Sequence, residues 1–215
     1  MQIVVIAKAP VPGSVKTRLS PPCTPDQAAA IAAAALADTL ATVRSVPVHR
    51  RVVTFDGDPA HPDVDLAGFD VLAQHGTGLG ARLSAAFADA AAGPGAGLGT
   101  LLIGMDTPQL DAALLDAALA PMRRGEAVFG HAADGGWWAL GLPDPAYADV
   151  LADVPMSLPD TGRRTERALR ARGLALTPLP VLRDVDTIAD AAEVAALAPG
   201  SGFARAFAEI MAGAP

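Results

Sequence analysis

Apolar positions along the chain switch repeatedly between the strand and helix periods. Gln2–Ala7 is a short, β-branched apolar run, as expected of a buried strand. Residues 8–23 hold Pro10, Pro12, Pro21, Pro22 and Gly13 and are predicted as a loop. Thr24-Pro25-Asp26-Gln27 then opens a helix, with Thr24 as N-cap, Pro25 at the first helical position and Gln27 closing a capping box. The alanine-rich stretch carries this helix to about Arg44. Arg50–Phe55 and the shorter Asp70–Gln74 read as strands, and residues 81–92 as a helix after a glycine-rich turn. Further on, strands are predicted at Thr100–Gly104, Glu126–Gly130, Trp137–Leu142 and Leu174–Leu182. Helices are predicted at Asp111–Met122, Thr161–Arg172, 188–198 and 202–212. No internal repeat or long linker interrupts this alternation. Residues 1–215 are therefore predicted as one α/β domain, a mostly parallel sheet with helices on both faces.

Composition narrows the function classes. Hydrophobic residues make up 51% and charged residues 18%, which excludes intrinsic disorder. A formal net charge of −7 repels polyphosphate at long range and argues against nucleic acid as a partner. The single cysteine, Cys23, has no internal disulfide partner, in keeping with a reducing compartment. No uninterrupted apolar run reaches the roughly 18 residues of a transmembrane helix, and the N-terminus lacks the basic region of a signal peptide. The expected location is the cytoplasm.

Ligands of open α/β sheets bind beyond the carboxyl ends of the strands, so the residues there are the candidates for chemistry. The first strand is followed by Lys8-Ala9-Pro10-Val11-Pro12-Gly13-Ser14-Val15-Lys16-Thr17-Arg18. Lys8 and Lys16 are the only lysines in the chain, and with Arg18 they put three cations on a loop stiffened by Pro12. Gly13 permits close backbone approach, so the loop suits a di- or triphosphate; the alternative is a solvated surface loop. It is not a Walker A loop, because Lys16 follows Val15 rather than glycine. Gly76-Thr77-Gly78-Leu79-Gly80-Ala81 matches a loose dinucleotide-binding pattern. Outside the first strand–helix unit, Gly78 and Gly80 read better as a tight turn beside a ligand, with Arg82 on the helix that follows, and these three join Lys8, Pro12, Gly13, Lys16 and Arg18 as candidate nucleotide-binding residues.

The remaining strand ends carry carboxylates: Asp56 and Asp58, Asp106, Asp134, then Asp184 and Asp186. Alone, each reads as a turn or cap residue. Together, Asp106 and Asp186 could chelate one metal from separate strand ends, and oxygen ligands favour Mg²⁺ or Mn²⁺. Asp134-Gly135-Gly136-Trp137-Trp138 joins a carboxylate, two permissive glycines and both tryptophans of the chain. Alternation should turn one tryptophan into the core and the other toward the cleft. The four histidines lack metal-ligand spacing, and no G-x-S-x-G nucleophile elbow is present.

Taken in order, A-K-x-P-x-P-G-x-x-K-T-R-L, G-x-G-L-G-x-R-L, I-G-x-D-x-P, D-G-G-W-W-x-L-G-L and D-V-D-T span residues 2 to about 198. The series resembles the small bacterial glycosyltransferase-like proteins of the nucleotide-diphospho-sugar transferase superfamily. It is similar in pattern to the phospholactate guanylyltransferase type, which also opens with K-T-R-L and ends with D-V-D-T. The resemblance implies a GT-A fold, a Rossmann-like α/β/α sandwich. It further implies that Lys16 and Arg18, supported by Lys8, bind nucleotide phosphates, and that Asp106 and Asp186 hold a metal. By the same resemblance Asp134, Gly135 and Gly136, with Trp137 beside them, border the sugar or acceptor cleft. Asp106 and Asp134 are accordingly the candidate catalytic carboxylates. The chain departs from the pattern in three places. A single Asp106 stands in place of D-x-D, Trp137-Trp138 follows D-G-G, and Pro155-Met156-Ser157-Leu158 replaces P-W-S-T.

These features point to a metal-dependent transferase acting on an activated nucleotide, first a glycosyltransferase with a nucleotide-sugar donor. The alternative is a guanylyltransferase-like enzyme joining a nucleoside triphosphate to a small phosphorylated acceptor with release of pyrophosphate. A non-catalytic nucleotide-binding module and a hydride-transfer enzyme are weaker contenders. The expected partners are the nucleotide and a small-molecule acceptor, and a homodimer is compatible with the sequence.

Overall fold

A computed structural model describes residues 1–213. Seven strands form one sheet: β1 (Gln2–Lys8), β2 (Arg50–Asp56), β3 (Asp70–Ala73), β4 (Thr100–Gly104), β5 (Ala127–His131), β6 (Trp137–Leu142) and β7 (Leu176–Pro178). Their spatial order is β3-β2-β1-β4-β6-β5-β7. All pairings are parallel except those of β6, which runs antiparallel to both β4 and β5. The expected Rossmann-like α/β/α sandwich with a mostly parallel sheet is the fold observed.

Both faces of the sheet are buried, which explains why β1 and β4 are apolar throughout rather than alternating. Ile3, Val5 and Ala7 point into one core with Leu36, Leu40, Leu115 and Leu119. Val4 joins the other core with Leu83, Phe87, Leu151 and Leu169. The first core is covered by α1 (Pro25–Ser45) and α3 (Ala112–Met122). The second is covered by α2 (Leu79–Ala91), a 3₁₀ segment at Pro145–Asp153, and α4 (Thr161–Ala171). Finally, α5 (Ile188–Leu197) and α6 (Gly202–Ala212) pack Val194, Phe203 and Phe207 against Ile31 and Ala35 on the outer side of α1.

Helix α1 thus lies between two apolar surfaces. This explains a property that uninterrupted run length does not reveal. By length and composition alone the helix could cross a membrane, yet half of that apolar window is buried inside the protein. Its polar interruption is structural. The Asp38 carboxylate accepts the N–H groups of Gly202 at 3.0 Å and Phe203 at 2.7 Å, tying α6 to α1.

Three boundaries differ from the sequence expectation. Helix α2 begins at Leu79, so Gly78 is its cap and Gly80 lies inside its first turn. The segment Pro145–Asp153, which carries no predicted element, forms a 3₁₀ helix. The last strand shrinks from the expected Leu174–Leu182 to Leu176–Pro178. Pro178 and Pro180 have no N–H to continue a ladder, and pairing resumes only in an isolated Ala132–Leu182 bridge.

At the start of α1 the Thr24 hydroxyl accepts the Gln27 N–H at 3.2 Å while the Gln27 side chain accepts the Thr24 N–H at 2.8 Å. Thr24→Ala removes one of these bonds and frays the helix that both apolar surfaces share. We expect it to lower the unfolding free energy by about 1 kcal/mol, read as a fall in the urea midpoint without a change in slope.

Candidate active site

Every parallel strand ends at the same rim, and the antiparallel β6 begins there. The rim therefore collects the loop after β1, the end of β2, the start of α2, the loop after β4, the β5–β6 turn and the segment after β7. Two adjoining cavities of about 450 and 470 Å³ open along it, a size suited to small ligands. Lys8, Asp106, Asp134, Ser157 and Asp186 line both.

Lys16 stands at the centre. Its backbone is left-handed, with φ 46°, which folds the loop back over the sheet. Its side chain is only 8% exposed, and Nζ lies 2.8 Å from Asp106 Oδ2 and 3.6 Å from Asp186 Oδ1. Burial opposes the ammonium charge, but Asp106, Asp186 and Asp184 together outweigh it and raise the Lys16 pKa. Arg18 stays exposed and reaches Asp186 Oδ2 at 3.2 Å, while Lys8 Nζ donates to the Ser14 carbonyl at 2.7 Å. All three loop cations line the 470 Å³ cavity; Pro12 and Gly13 lie outside both cavities, on the outer arc of the loop.

The carboxylates are grouped differently from the expected Asp106–Asp186 ligand pair. The Lys16 ammonium stands between those two residues. Asp134, Asp184 and Asp186 instead form a cluster in which one oxygen from each lies within 4.8 Å of the others. The sequence marks Asp184 only as a carboxylate beyond the last strand. The signal that could have placed it is the alternation of Asp184-Val185-Asp186: Val185 is completely buried, so its neighbours face the other way. Burial first, then the Asp134 and Asp186 charges, push the Asp184 pKa up to about 6, with Lys16 acting in the opposite direction. Two bonds stitch this segment to the loop after β4. Val185 N–H donates to the Asp106 carbonyl at 3.1 Å, and Gln109 Nε2 donates to the Arg183 carbonyl at 2.5 Å.

The glycines divide between turns and close packing. Gly78, with φ 84°, has open space where a side chain would start. Gly80 does not face a ligand: a Cβ there would collide with the Leu151 carbonyl, so its smallness lets α2 dock on the 3₁₀ segment. Gly135, with φ 92°, is pressed against Pro159, and the Gly136 N–H donates to Asp134 Oδ1 at 2.7 Å, fixing that carboxylate. Trp138 is buried and donates from Nε1 to the Pro180 carbonyl at 2.9 Å. Trp137 is half-buried and forms a wall of the 450 Å³ cavity, as alternation predicts for one of the two. Arg82 also lines this cavity, with its guanidinium 2.8 Å from Asp56 Oδ2.

Two further residues lie outside the candidate set drawn from the sequence. Thr107 is 2% exposed and lines the 450 Å³ cavity, and its hydroxyl has no hydrogen-bond partner in the protein. Ser157 holds a left-handed backbone, φ 60°, where the two cavities meet. Together with Lys16 it completes the set of non-glycine residues with positive φ among those described.

Known structures share this architecture. A crystal structure from Desulfovibrio desulfuricans G20, whose name assigns it provisionally to the nucleotide-diphospho-sugar transferases, superposes with a TM-score of 0.82 at 26% identity, covering 98% of this chain and 94% of that one. Rv0371c from Mycobacterium tuberculosis H37Rv, in complex with manganese, gives 0.57 at 24% identity over 90% and 97% of the two chains. The 2-C-methyl-D-erythritol 4-phosphate cytidylyltransferase of Thermus thermophilus gives 0.53 at 15% identity over 98% and 100%. No curated protein matches the chain. The fold class is thus that of the nucleotide-diphospho-sugar transferases and the nucleotidyltransferases related to them. Within it, the chain belongs to the DUF2064 family, described as an uncharacterized protein conserved in bacteria, which it matches over residues 39–158.

The charge crowding at Asp184 has a measurable cost. Because folding raises its pKa, the folded state holds the Asp184 proton more tightly than the unfolded chain does. The stability this contributes is complete below the ordinary value of 3.8 and is lost as pH rises through about 6. In metal-free protein, Asp184→Asn should therefore raise the melting temperature by a few degrees near neutral pH. The gain over wild type should shrink toward zero as pH falls to about 4.

Proposed function

We propose that this chain is a metal-dependent glycosyltransferase that uses a nucleotide-diphosphate sugar as donor and a small molecule as acceptor. The observation that carries the reading is the meeting of two unlike chambers at one group of carboxylates. The 470 Å³ chamber is lined by Lys8, Lys16 and Arg18 and suits a diphosphate. The 450 Å³ chamber has the Trp137 wall and suits a sugar and its acceptor. The high overall likeness to the Desulfovibrio protein supports the donor class.

Asp134, Asp184 and Asp186 are the residues that would hold the metal. Three hard carboxylate oxygens within 4.8 Å of one another, with one pKa raised by burial and by its acidic neighbours, fit a divalent ion. The manganese complex of the mycobacterial protein supports a divalent ion as the cofactor. When bound, such an ion supplies positive charge to the phosphate oxygens as the leaving group departs. The protein's own contribution starts with Asp106, which holds the Lys16 ammonium where the two chambers meet. Lys16 and Arg18 then place fixed positive charge beside the diphosphate, in a partly dry site where it acts more strongly than in water. Gly136 holds the Asp134 carboxylate by its N–H, so the acidic cluster is set before the substrate arrives.

A second reading is nucleotidyl transfer, favoured by the fold shared with the Thermus cytidylyltransferase and by three cations on one loop. The products separate the two: glycosyl transfer leaves a nucleoside diphosphate, nucleotidyl transfer leaves pyrophosphate.

A thermal-shift series with nucleotide sugars and nucleoside triphosphates, with and without Mn²⁺, tests the donor class. A nucleotide sugar at 100 times its dissociation constant should stabilise the protein by about 2.7 kcal/mol, and only with metal present. Metal-independent stabilisation without turnover would support a plain binding module instead. Lys16→Ala should lower turnover by about 10²–10³, whereas Arg123→Ala should leave it unchanged. Arg123 follows α3 at the opposite end of the sheet, close to the Met1 amino group. Asp106→Ala should bring a loss similar to that of Lys16→Ala, since it removes the partner that orients the ammonium.

A further inference from the structure

We infer that Ser157 is a ligand-contacting residue: its hydroxyl bonds an oxygen of the nucleotide donor lying across the junction of the two cavities, a sugar hydroxyl or a phosphate oxygen. The inference rests on the nucleotide-donor reading and names a contact within it. Three observations carry it.

The first is the backbone. Among the described residues ten glycines have positive φ, and just two other residues share that conformation. A Cβ strains a left-handed backbone, so the chain meets almost every such demand with glycine. The exceptions are Lys16, φ 46°, and Ser157, φ 60°. They belong to distant parts of the chain, the loop after β1 and the segment before α4, yet both line the 470 Å³ cavity. Lys16 offsets its strain with the ion pairs to Asp106 and Asp186. A turn with no other task at position 157 would be served better by glycine.

The second observation is that Ser157 gains no such bond from the protein. The Thr161 hydroxyl serves the groups on either side of it, accepting the Leu158 N–H at 3.0 Å and donating to the Pro155 carbonyl at 3.1 Å. Ser157 itself is exposed and makes no hydrogen bond to the described residues. Its neighbours therefore hold it in the strained form and leave its hydroxyl free. The third observation is its place. The other side chains that line both cavities are charged or apolar, and Ser157 supplies the neutral hydroxyl among them. A hydroxyl both donates and accepts. A donor laid across both cavities passes this point with its phosphate or with the first atoms of its sugar, and the hydroxyl can bond either.

Ser157→Gly and Ser157→Ala separate the hydroxyl from the backbone: both remove the hydroxyl, and only glycine relieves the strain. Calorimetric titration of the intact protein, with Mn²⁺ present, uses the glucose esters of UDP, GDP, ADP, CDP and dTDP and the matching free diphosphates. Both variants should weaken the tightest-binding glucose ester by about two- to tenfold. Without nucleotide, Ser157→Gly should melt about 2 °C above Ser157→Ala and no lower than wild type. Equal weakening of the free diphosphate assigns the contact to a phosphate oxygen; weakening confined to the glucose ester assigns it to a sugar hydroxyl. Unchanged affinity in both variants would overturn the inference. So would wild-type affinity in Ser157→Gly alone, since the backbone rather than the hydroxyl would then matter. A Ser157→Gly protein that melts below wild type would also overturn it, because the serine would then serve folding. If no glucose ester binds wild type, ATP, GTP, CTP and UTP are titrated in the same way. A triphosphate weakened by both variants keeps the Ser157 contact while the glycosyl-donor reading falls; if wild type binds none of them, both fall.

Discussion

The rim is organised around one buried ammonium. Lys16 is the point at which the loop after β1, the end of β4 and the segment after β7 are joined, because its Nζ reaches both Asp106 and Asp186. A cation so deeply buried is tolerated only with paired counter-charge, and the carboxylates gain the same neutralisation in return. Remove it, and two aspartates from distant parts of the chain face each other across the mouth of the site. The left-handed backbone of Lys16 is part of the same arrangement.

The sheet makes this meeting possible. Its central strands are apolar on both faces and leave no freedom of register, so each strand delivers its last residue to a fixed place. The antiparallel β6 adds something a wholly parallel sheet lacks: a tight turn at the rim. That turn is where Asp134 and Trp137 enter, one beside the cationic loop after β1 and the other on the apolar side. The chemistry on the two sides of the cleft therefore differs because strands of opposite direction end and begin there.

Much of this is legible in the chain itself. The capping box at Thr24, the apolar β1 and β4, and the tryptophan alternation follow from local rules with one solution each. The three loop cations stand out because lysine is otherwise absent from the chain. What cannot be read is pairing between distant segments. Nothing local to Lys16 shows that its charge is spent on Asp106, and nothing local to Gly80 shows that a carbonyl of the Leu151 segment lies above it. Asp184 is the intermediate case. Its alternation with a buried valine is visible, but a carboxylate two residues from another reads equally well as a helix cap. Thr107 carries no sequence mark, since what distinguishes it is an unmet hydroxyl, and Ser157 is marked only by its place in the Pro155–Leu158 departure, which says nothing of its backbone angle.

The segment from Pro155 to Gly162 is fastened at several points. The Thr161 hydroxyl donates to the Pro155 carbonyl and accepts the Leu158 N–H, Pro159 rests on Gly135, and the Gly162 N–H donates to the Gly135 carbonyl. Within the segment Met156, Ser157 and Leu158, with the fastened Thr161, line the 450 Å³ cavity, and Ser157 and Leu158 reach the other cavity too. Such an anchored arch lets natural variation exchange three contact positions while its footings stay put. Substitutions there would reshape the lining of the cleft without disturbing the carboxylate and lysine cluster beneath.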